Sequence, residues 1–252
     1  MKIMKIWIRG GTSDAEKISK EIKRNFKNVF LIVTTTTELG GEIAKSYADY
    51  VISEKMTREN LKKMLVENEI SIFLDATHPF SVNASETGIN VSKELNIPYI
   101  RYERPVETFE NAYYVDSFEK ASKLALSISK KNIFYMAGIK NLESISKLIP
   151  LERLIVRILP VSIIDALKIV PSKNIVAMQG VFSKELNYNL IKDYNCDVII
   201  TKDSGKTGGI YEKVSGALLA GAIPIIVNRP KIDYPLKFEK VEDLINYLKK
   251  FN

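Results

Sequence analysis

The sequence is short of the residues that build covalent or metal frameworks: it holds one cysteine, Cys196, and one histidine, His78, in 252 residues. A lone cysteine excludes an internal disulfide framework, and one thiol with one imidazole cannot complete an ordinary Cys/His zinc site. Tryptophan is equally scarce, and the place of Trp7 between Ile6 and Ile8 assigns it to a core. No apolar run approaches the ~18–20 residues that span a bilayer, and the N-terminus lacks an h-region followed by a small-residue cleavage site. The expectation is a cytoplasmic protein with no membrane partner.

Apolar residues make up 46% of the chain and charged ones 27%, the balance of a globular protein of one or two domains. Lys and Arg number 37 against 30 Asp and Glu, a net charge of +7. The basic residues are spread evenly rather than gathered in a tail, which points away from nucleic acid and toward a small acidic ligand.

From Lys5 onward, short β-rich runs alternate with stretches of helical period, the pattern of parallel sheets wrapped by helices. Strands are predicted at 6–8, 29–37, 50–52, 72–74 and 98–101. Helices follow the first, third and fourth, with Ile18, Ile22 and Phe26 in one stripe, Leu61, Met64 and Leu65 in the next, and a third over 84–95. Ser13 or Asp14 is the candidate cap of the first helix. The aperiodic stretch Val106–Asn111 after Pro105 marks a junction. The alternation then restarts, with strands at 133–136, 154–158, 175–178, 198–201 and 223–227. Helices are predicted at 118–129, 142–148, 163–169, 184–194 and 211–220, and a last one buries Val241, Leu244, Ile245 and Leu248. The expectation is an α/β protein of two Rossmann-like domains, 1–108 and 109–252.

In open parallel sheets ligands sit beyond the carboxyl ends of the strands, so the residues just after each apolar run carry the functional information. Gly10, Gly11, Thr12 and Ser13 stand between the first strand and its helix, where main-chain N–H groups could hold a phosphate; the alternative is a plain tight turn. A full G-x-G-x-x-G would need glycine at Thr12 and Ala15. Thr34 to Thr37 close the second strand, where hydroxyls such as those of Thr35 and Thr36 could meet a cofactor ribose or its 2′-phosphate, unless they simply fill the strand. Asp75, Thr77, His78 and Phe80 follow a fully apolar strand. His78 could give a proton, orient a group, or be structural. The stretch Lys202, Asp203, Ser204, Gly205, Lys206, Thr207 suggests a P-loop, but that motif would need glycine at Ile200, inside the strand. A basic, hydroxyl-rich loop that holds carboxylates or phosphates fits better. Arg101, Arg104 and Arg229 sit at strand ends and could pair with substrate carboxylates. Cys196 has no basic neighbour and is assigned no function.

Six ordered blocks, Gly10-Gly11-Thr12, Asp75-Ala76-Thr77-His78-Pro79-Phe80, Arg101-Tyr102-Glu103-Arg104-Pro105, Gln179-Gly180-Val181-Phe182, Thr201-Lys202-Asp203-Ser204-Gly205 and Asn228-Arg229-Pro230, resemble the precorrin-6A reductase family of cobalamin biosynthesis. The resemblance implies two Rossmann-like domains with the active site in a cleft between them, and hydride transfer from NADPH or NADH to the tetrapyrrole ring of precorrin-6A or its cobalt form. It implies that the first domain takes the cofactor through Gly10 to Ser13; Thr35, Thr36 and Thr77 are further candidates for cofactor contact. Phe80, Arg101, Arg104, Lys202, Asp203, Ser204, Gly205 and Arg229 would meet the substrate, and His78, or a water held by Asp75 and Thr77, would assist protonation or position the ring, with no metal. The segment after the second strand lacks the arginine that many family members carry there. A poly-acid ring calls for distributed cations and apolar walls, which the charge balance suits. Two other readings are a tetrapyrrole lyase or synthase without nicotinamide, and a dinucleotide sensor without turnover.

Overall fold

The computed structural model describes residues 3–251 and divides into two compact units, Met1–Pro105 with Pro230–Asn252, and Val106–Arg229. The first unit runs β1 (Met4–Arg9), α1 (Ser13–Asn25), β2 (Val29–Thr35), α2 (Glu38–Ala44), β3 (Tyr50–Ser53), α3 (Arg58–Glu67), β4 (Ile72–Asp75), α4 (Val82–Glu94) and β5 (Tyr99–Tyr102). Its central strands read as unbroken apolar runs because helices cover both faces. Ile6, Ile8, Leu31, Val33, Ile72 and Leu74 pack with Ile18 and Ile22 of α1 on one face. Trp7, Ile32 and Phe73 pack with Leu61, Leu65 and Val91 on the other.

The second unit runs β6 (Tyr113–Val115), α5 (Phe118–Ile128), β7 (Asn132–Tyr135), α6 (Leu142–Ser146), β8 (Leu154–Ile158), α7 (Ile163–Leu167), β9 (Ile175–Ala177), α8 (Lys184–Asp193), β10 (Cys196–Lys202), α9 (Ile210–Leu219) and β11 (Ile223–Val227). Its sheet has the order β6-β11-β10-β7-β8-β9, with every pairing parallel. The chain then returns to the first unit. There β12 (Lys237–Phe238) pairs parallel with β5, and α10 (Val241–Leu248) buries Val241, Leu244, Ile245 and Leu248 in the first core. The first sheet is therefore six-stranded and wholly parallel, in the order β12-β5-β4-β1-β2-β3.

The α/β class and the two parallel sheets are as expected from the alternation. The expected span 109–252 differs at its end, because residues from Pro230 onward complete the first sheet instead. A two-residue strand has no period to read. The second strand ends at Thr35 rather than Thr37, and the residues beyond it form α2, capped by the Thr37 hydroxyl, which accepts from the Gly40 N–H. Gly40 and Gly41 hide that helix in the sequence because glycine disfavours helix by about 1 kcal/mol. Among the described residues no helix is long and apolar enough to cross a membrane.

One close approach in the second unit yields a test. A Cβ on Gly216 of α9 would lie 2.7 Å from the Lys184 carbonyl oxygen, 2.7 Å from the Asn187 Cβ and 3.0 Å from the Tyr188 nitrogen. Two of these are main-chain atoms of α8 and cannot turn away. Gly216→Ala should destabilise the protein by about 1–3 kcal/mol through overpacking, despite alanine's better helix propensity. Denaturant unfolding checks this, and a more stable variant would refute the tight helix–helix contact.

Candidate active site

Each sheet has a point where strand order reverses. In the first unit β1, β2 and β3 extend one way while β4 and β5 extend the other, so the reversal falls between β1 and β4. The turn after β1 is Gly10-Gly11-Thr12. The Gly10 N–H donates to the Thr34 carbonyl at 2.8 Å, and Gly11 has φ +83°, a left-handed conformation that favours glycine. Thr12, rather than Ser13 or Asp14, caps α1. Its Oγ1 accepts from the Ala15 N–H at 3.2 Å and donates to the Ala76 carbonyl at 2.7 Å, tying this turn to the end of β4. Gly11 and Ser13 are exposed over the start of a 13-residue helix, whose dipole favours an anion there. Arg104 is ion-paired with Asp14 in that first turn, which offsets the carboxylate that would oppose such an anion.

Asp75 and Arg101, both expected at the site, are bound to each other. Asp75 is fully buried at the end of β4. Its Oδ1 accepts from the Thr77 N–H at 2.9 Å, the Thr77 hydroxyl at 2.7 Å and Arg101 Nη1 at 2.9 Å, while Oδ2 accepts from Ser85 and Tyr99 hydroxyls at 2.6 Å each. Burial alone would raise its pKa, but Arg101 and these hydrogen bonds together hold it below the ordinary carboxylate value. A carboxylate kept ionised and hidden from solvent cannot serve as an acid. Arg101 is equally buried, paired with Asp75 and, at 3.3 Å, with Glu103, and its guanidinium lies over the Tyr234 ring. It holds the sheet end together. Arg104 and Arg229 are likewise committed to the protein's own carboxylates, Asp14 and Asp203. A buried guanidinium without a carboxylate partner would cost several kcal/mol, and in these three arginines the protein's own carboxylates offset that cost.

His78 is half-buried, and its Nδ1 accepts from the Phe80 N–H at 3.2 Å. An Nδ1 that accepts puts the proton of the neutral ring on Nε2, the edge through which this side chain could exchange one. The Phe80 ring, half-buried, stands 5.8 Å from the imidazole. Thr77 is drawn into the Asp75 network. Thr35 is buried, with its hydroxyl donating to the Thr37 carbonyl at 3.0 Å, so it does not face a ribose; Thr36 is exposed.

In the second unit the reversal lies between β7 and β10. Gly138, after β7, has φ +84°, repeating the conformation of Gly11 after β1. After β10, Asp203 Oδ1 accepts from the Gly205 N–H at 3.2 Å, Asp203 Oδ2 lies 2.8 Å from Arg229 Nε, and the Ser204 hydroxyl donates to the Gly208 carbonyl at 3.1 Å. The Lys202–Gly205 stretch is thus an internally braced loop with Lys202 at its base. The Cys196 thiol is buried at the other end of the strand, its pKa pushed up to about 12 by burial and by Asp197, in line with a packing residue.

Residues absent from the sequence reading also converge on the second reversal. Arg157 of β8 and Lys202 both act on the charge of Lys213 of α9, and Lys140 acts on that of Lys202. A single arginine within the apolar run Leu154–Ile158 was the available signal, since a charge in a strand buried on both faces must have a reason to be there.

The strand orders and the glycine turns at both reversals define an α/β protein of paired Rossmann-like units. The family model described as precorrin-6x reductase CbiJ/CobK matches residues 5–249. A cobalt-precorrin-6A reductase of Methanococcus maripaludis is 72% identical over 246 residues, covering 98% of this chain and 99% of that protein. One of Methanocaldococcus jannaschii is 48% identical, covering 97% and 98%. The solved structure of a CobK precorrin-6A reductase superposes with a TM-score of 0.79 at 17% identity over 98% of this chain and 97% of that one, a likeness of fold. The chain belongs to the precorrin-6x reductase family.

Proposed function

We infer that this protein is an oxidoreductase of cobalamin biosynthesis that reduces cobalt-precorrin-6A with a reduced nicotinamide dinucleotide, NADPH or NADH. The observation that carries this reading is the 72% identity, over almost the whole of both chains, to a protein named for that activity. The glycine turn at the first reversal supports the cofactor class: it offers main-chain donors at a helix N-terminus, and its surroundings suit a pyrophosphate. The nicotinamide would supply the hydride, and a proton from the protein or solvent would complete the reduction of the ring. The Gly10–Ser13 turn would hold the phosphates, Thr12 fixing its position through Ala76. The Asp75–Arg101 network keeps the β4 loop rigid beneath His78, whose Nε2 is the site we assign to the proton. Thr36, exposed beyond β2, is a candidate for the adenosine ribose, while the braced Lys202–Gly205 loop of the second unit would meet the substrate.

The test is anaerobic incubation with cobalt-precorrin-6A and each reduced nicotinamide, following loss of the reduced-nicotinamide absorbance. Oxidation coupled to ring reduction is the expected result. Saturable cofactor binding without oxidation would instead indicate a sensor, and no cofactor binding a lyase or synthase. His78→Ala should lower turnover about a hundredfold, the usual scale of a lost proton donor; full turnover and affinity would remove His78 from the reaction.

A further inference from the structure

Arg101, Arg104 and Arg229 each face a carboxylate of the protein. Arg157 does not. Its side chain is more than nine-tenths buried at the carboxyl end of β8, where Nη1 donates to Asn187 Oδ1 at 2.9 Å and Nη2 to the Gly180 carbonyl at 3.3 Å, and the guanidinium lies 4.8 Å from the Phe182 ring centre. Every one of those partners is neutral. Lys213, in the first turn of α9, donates to the Gly208 carbonyl at 3.3 Å, again a neutral acceptor. Among the described residues neither makes an ion pair, and the only carboxylate acting on Lys213 is that of its neighbour Glu212.

The cations nonetheless crowd together: Arg157 is held by the Gly180 carbonyl and Lys213 by the Gly208 carbonyl, and these two loops touch, a Cβ on Gly209 standing 2.9 Å from Val181 Cγ1. Burial, then Arg157 and Lys202, lower the pKa of Lys213 to about 7 against the opposing pull of Glu212. Burial and Lys140 lower that of Lys202. Positive groups drawn out of water toward one another are unfavourable unless something negative joins them. Their place adds direction: Arg157 and Lys202 stand at the carboxyl ends of β8 and β10, on either side of β7, and Lys140 follows β7, beside the reversal where such sheets take ligands.

We propose that Arg157 and Lys213 form a carboxylate-binding site in the second unit, which takes one acid arm of the polycarboxylate ring. The site rests on the reading that the substrate is a tetrapyrrole acid. The flat guanidinium, propped by Asn187, Gly180 and Phe182, gives a bidentate donor, and the ammonium gives a second direction of approach. The same cations could in principle take a phosphate of the cofactor, and the two sources separate in one experiment.

The experiment is steady-state reduction of cobalt-precorrin-6A by the full-length enzyme, varying each substrate in turn, from about pH 6 to about pH 9. Lys213→Met and Arg157→Met should each raise KM for the tetrapyrrole about tenfold or more, the loss falling on KM more than on kcat, with KM for the nicotinamide unmoved. A bound carboxylate favours the charged ammonium and raises its pKa, so binding takes up a proton. Wild-type affinity is then full below about pH 7 and falls by up to about tenfold per pH unit above it. Lys213→Arg, which keeps its charge, should restore a low KM and flatten this profile, a response that a merely structural lysine would not give. Thermal melting of each variant controls for folding. Unchanged tetrapyrrole KM in both methionine variants, or a loss that falls on the nicotinamide instead, overturns the site. A wild-type enzyme that reduces no tetrapyrrole overturns the functional reading first, and the carboxylate assignment with it.

Discussion

Replacing Asp75 with asparagine should cost the protein about 3–5 kcal/mol of stability, the scale for breaking a fully buried ion pair from one side. The loss comes from what is left behind. Arg101 has no exposed side-chain surface, and without Asp75 its charge would face Glu103 alone, at 3.3 Å, with the Tyr99 and Ser85 hydroxyls turned toward a neutral amide. Removing both charges together, as in Asp75→Leu with Arg101→Met, should cost less than Asp75→Asn alone, because the fully buried guanidinium is then gone and only Glu103, nearer the surface, loses a partner. The folded-state pKa of Asp75 lies below its ordinary value of 3.8, so its contribution is complete above that value and is lost as pH falls through the folded one. The stability gap between wild type and Asp75→Asn should therefore be constant through neutrality and close only in strong acid. Denaturant midpoints as a function of pH measure all three statements. An Asp75→Asn protein as stable as wild type but inactive would return Asp75 to the role of a reacting group.

Asp75 also shows where sequence reasoning runs out. That a polar residue closes the strand Ile72-Phe73-Leu74 is plain from the sequence, and so is its position at the ligand-bearing end of a parallel sheet. Whether that carboxylate faces a ligand or a neighbour is decided by Arg101, 26 residues away and brought beside it by the β4–β5 pairing of Asp75 with Arg101. No local pattern encodes that register. The alternation of strands and helices was legible because the strands are buried on both faces and so run apolar without interruption, as Ile6-Trp7-Ile8 and Val198–Ile200 do. Where burial is partial or the element short the signal fades. Tyr113 and Tyr114 of β6 are exposed, β12 has two residues, and both were silent. Arg157 and Lys213 were missed for another reason: Arg157 is a single charge in the apolar strand Leu154–Ile158 and Lys213 stands beside Glu212 in α9 like an ordinary surface pair, and only the fold reveals that the two cations come together.

The glycine turn after β1 carries the other large effect. A Cβ built on Gly11 meets nothing within 4 Å, so a side chain there would not clash with the protein; it would occupy the open space over the start of α1. Gly11→Val therefore separates the two demands on this residue. The fold bears only the backbone penalty of a β-branched residue at φ +83°, about 1–2 kcal/mol, while a pyrophosphate approaching the main-chain N–H groups of Gly11 to Ser13 meets the added methyl groups directly. Reduced-nicotinamide affinity should fall about a hundredfold, the loss of roughly two charge-assisted hydrogen bonds, with unfolding shifted only modestly. Fluorescence titration of NADPH and NADH against wild type and Gly11→Val, beside their melting curves, measures both quantities. Gly10→Val is the contrasting variant. Its Cβ would already stand 3.1 Å from Val33 Cγ1 and 3.2 Å from the Ala15 Cβ, so it should disturb the β1–α1 packing and lower stability as well as affinity. If Gly11→Val binds the nicotinamides as wild type does, the phosphates do not lie on this turn, and the cofactor must be sought at the second reversal, beside Gly138.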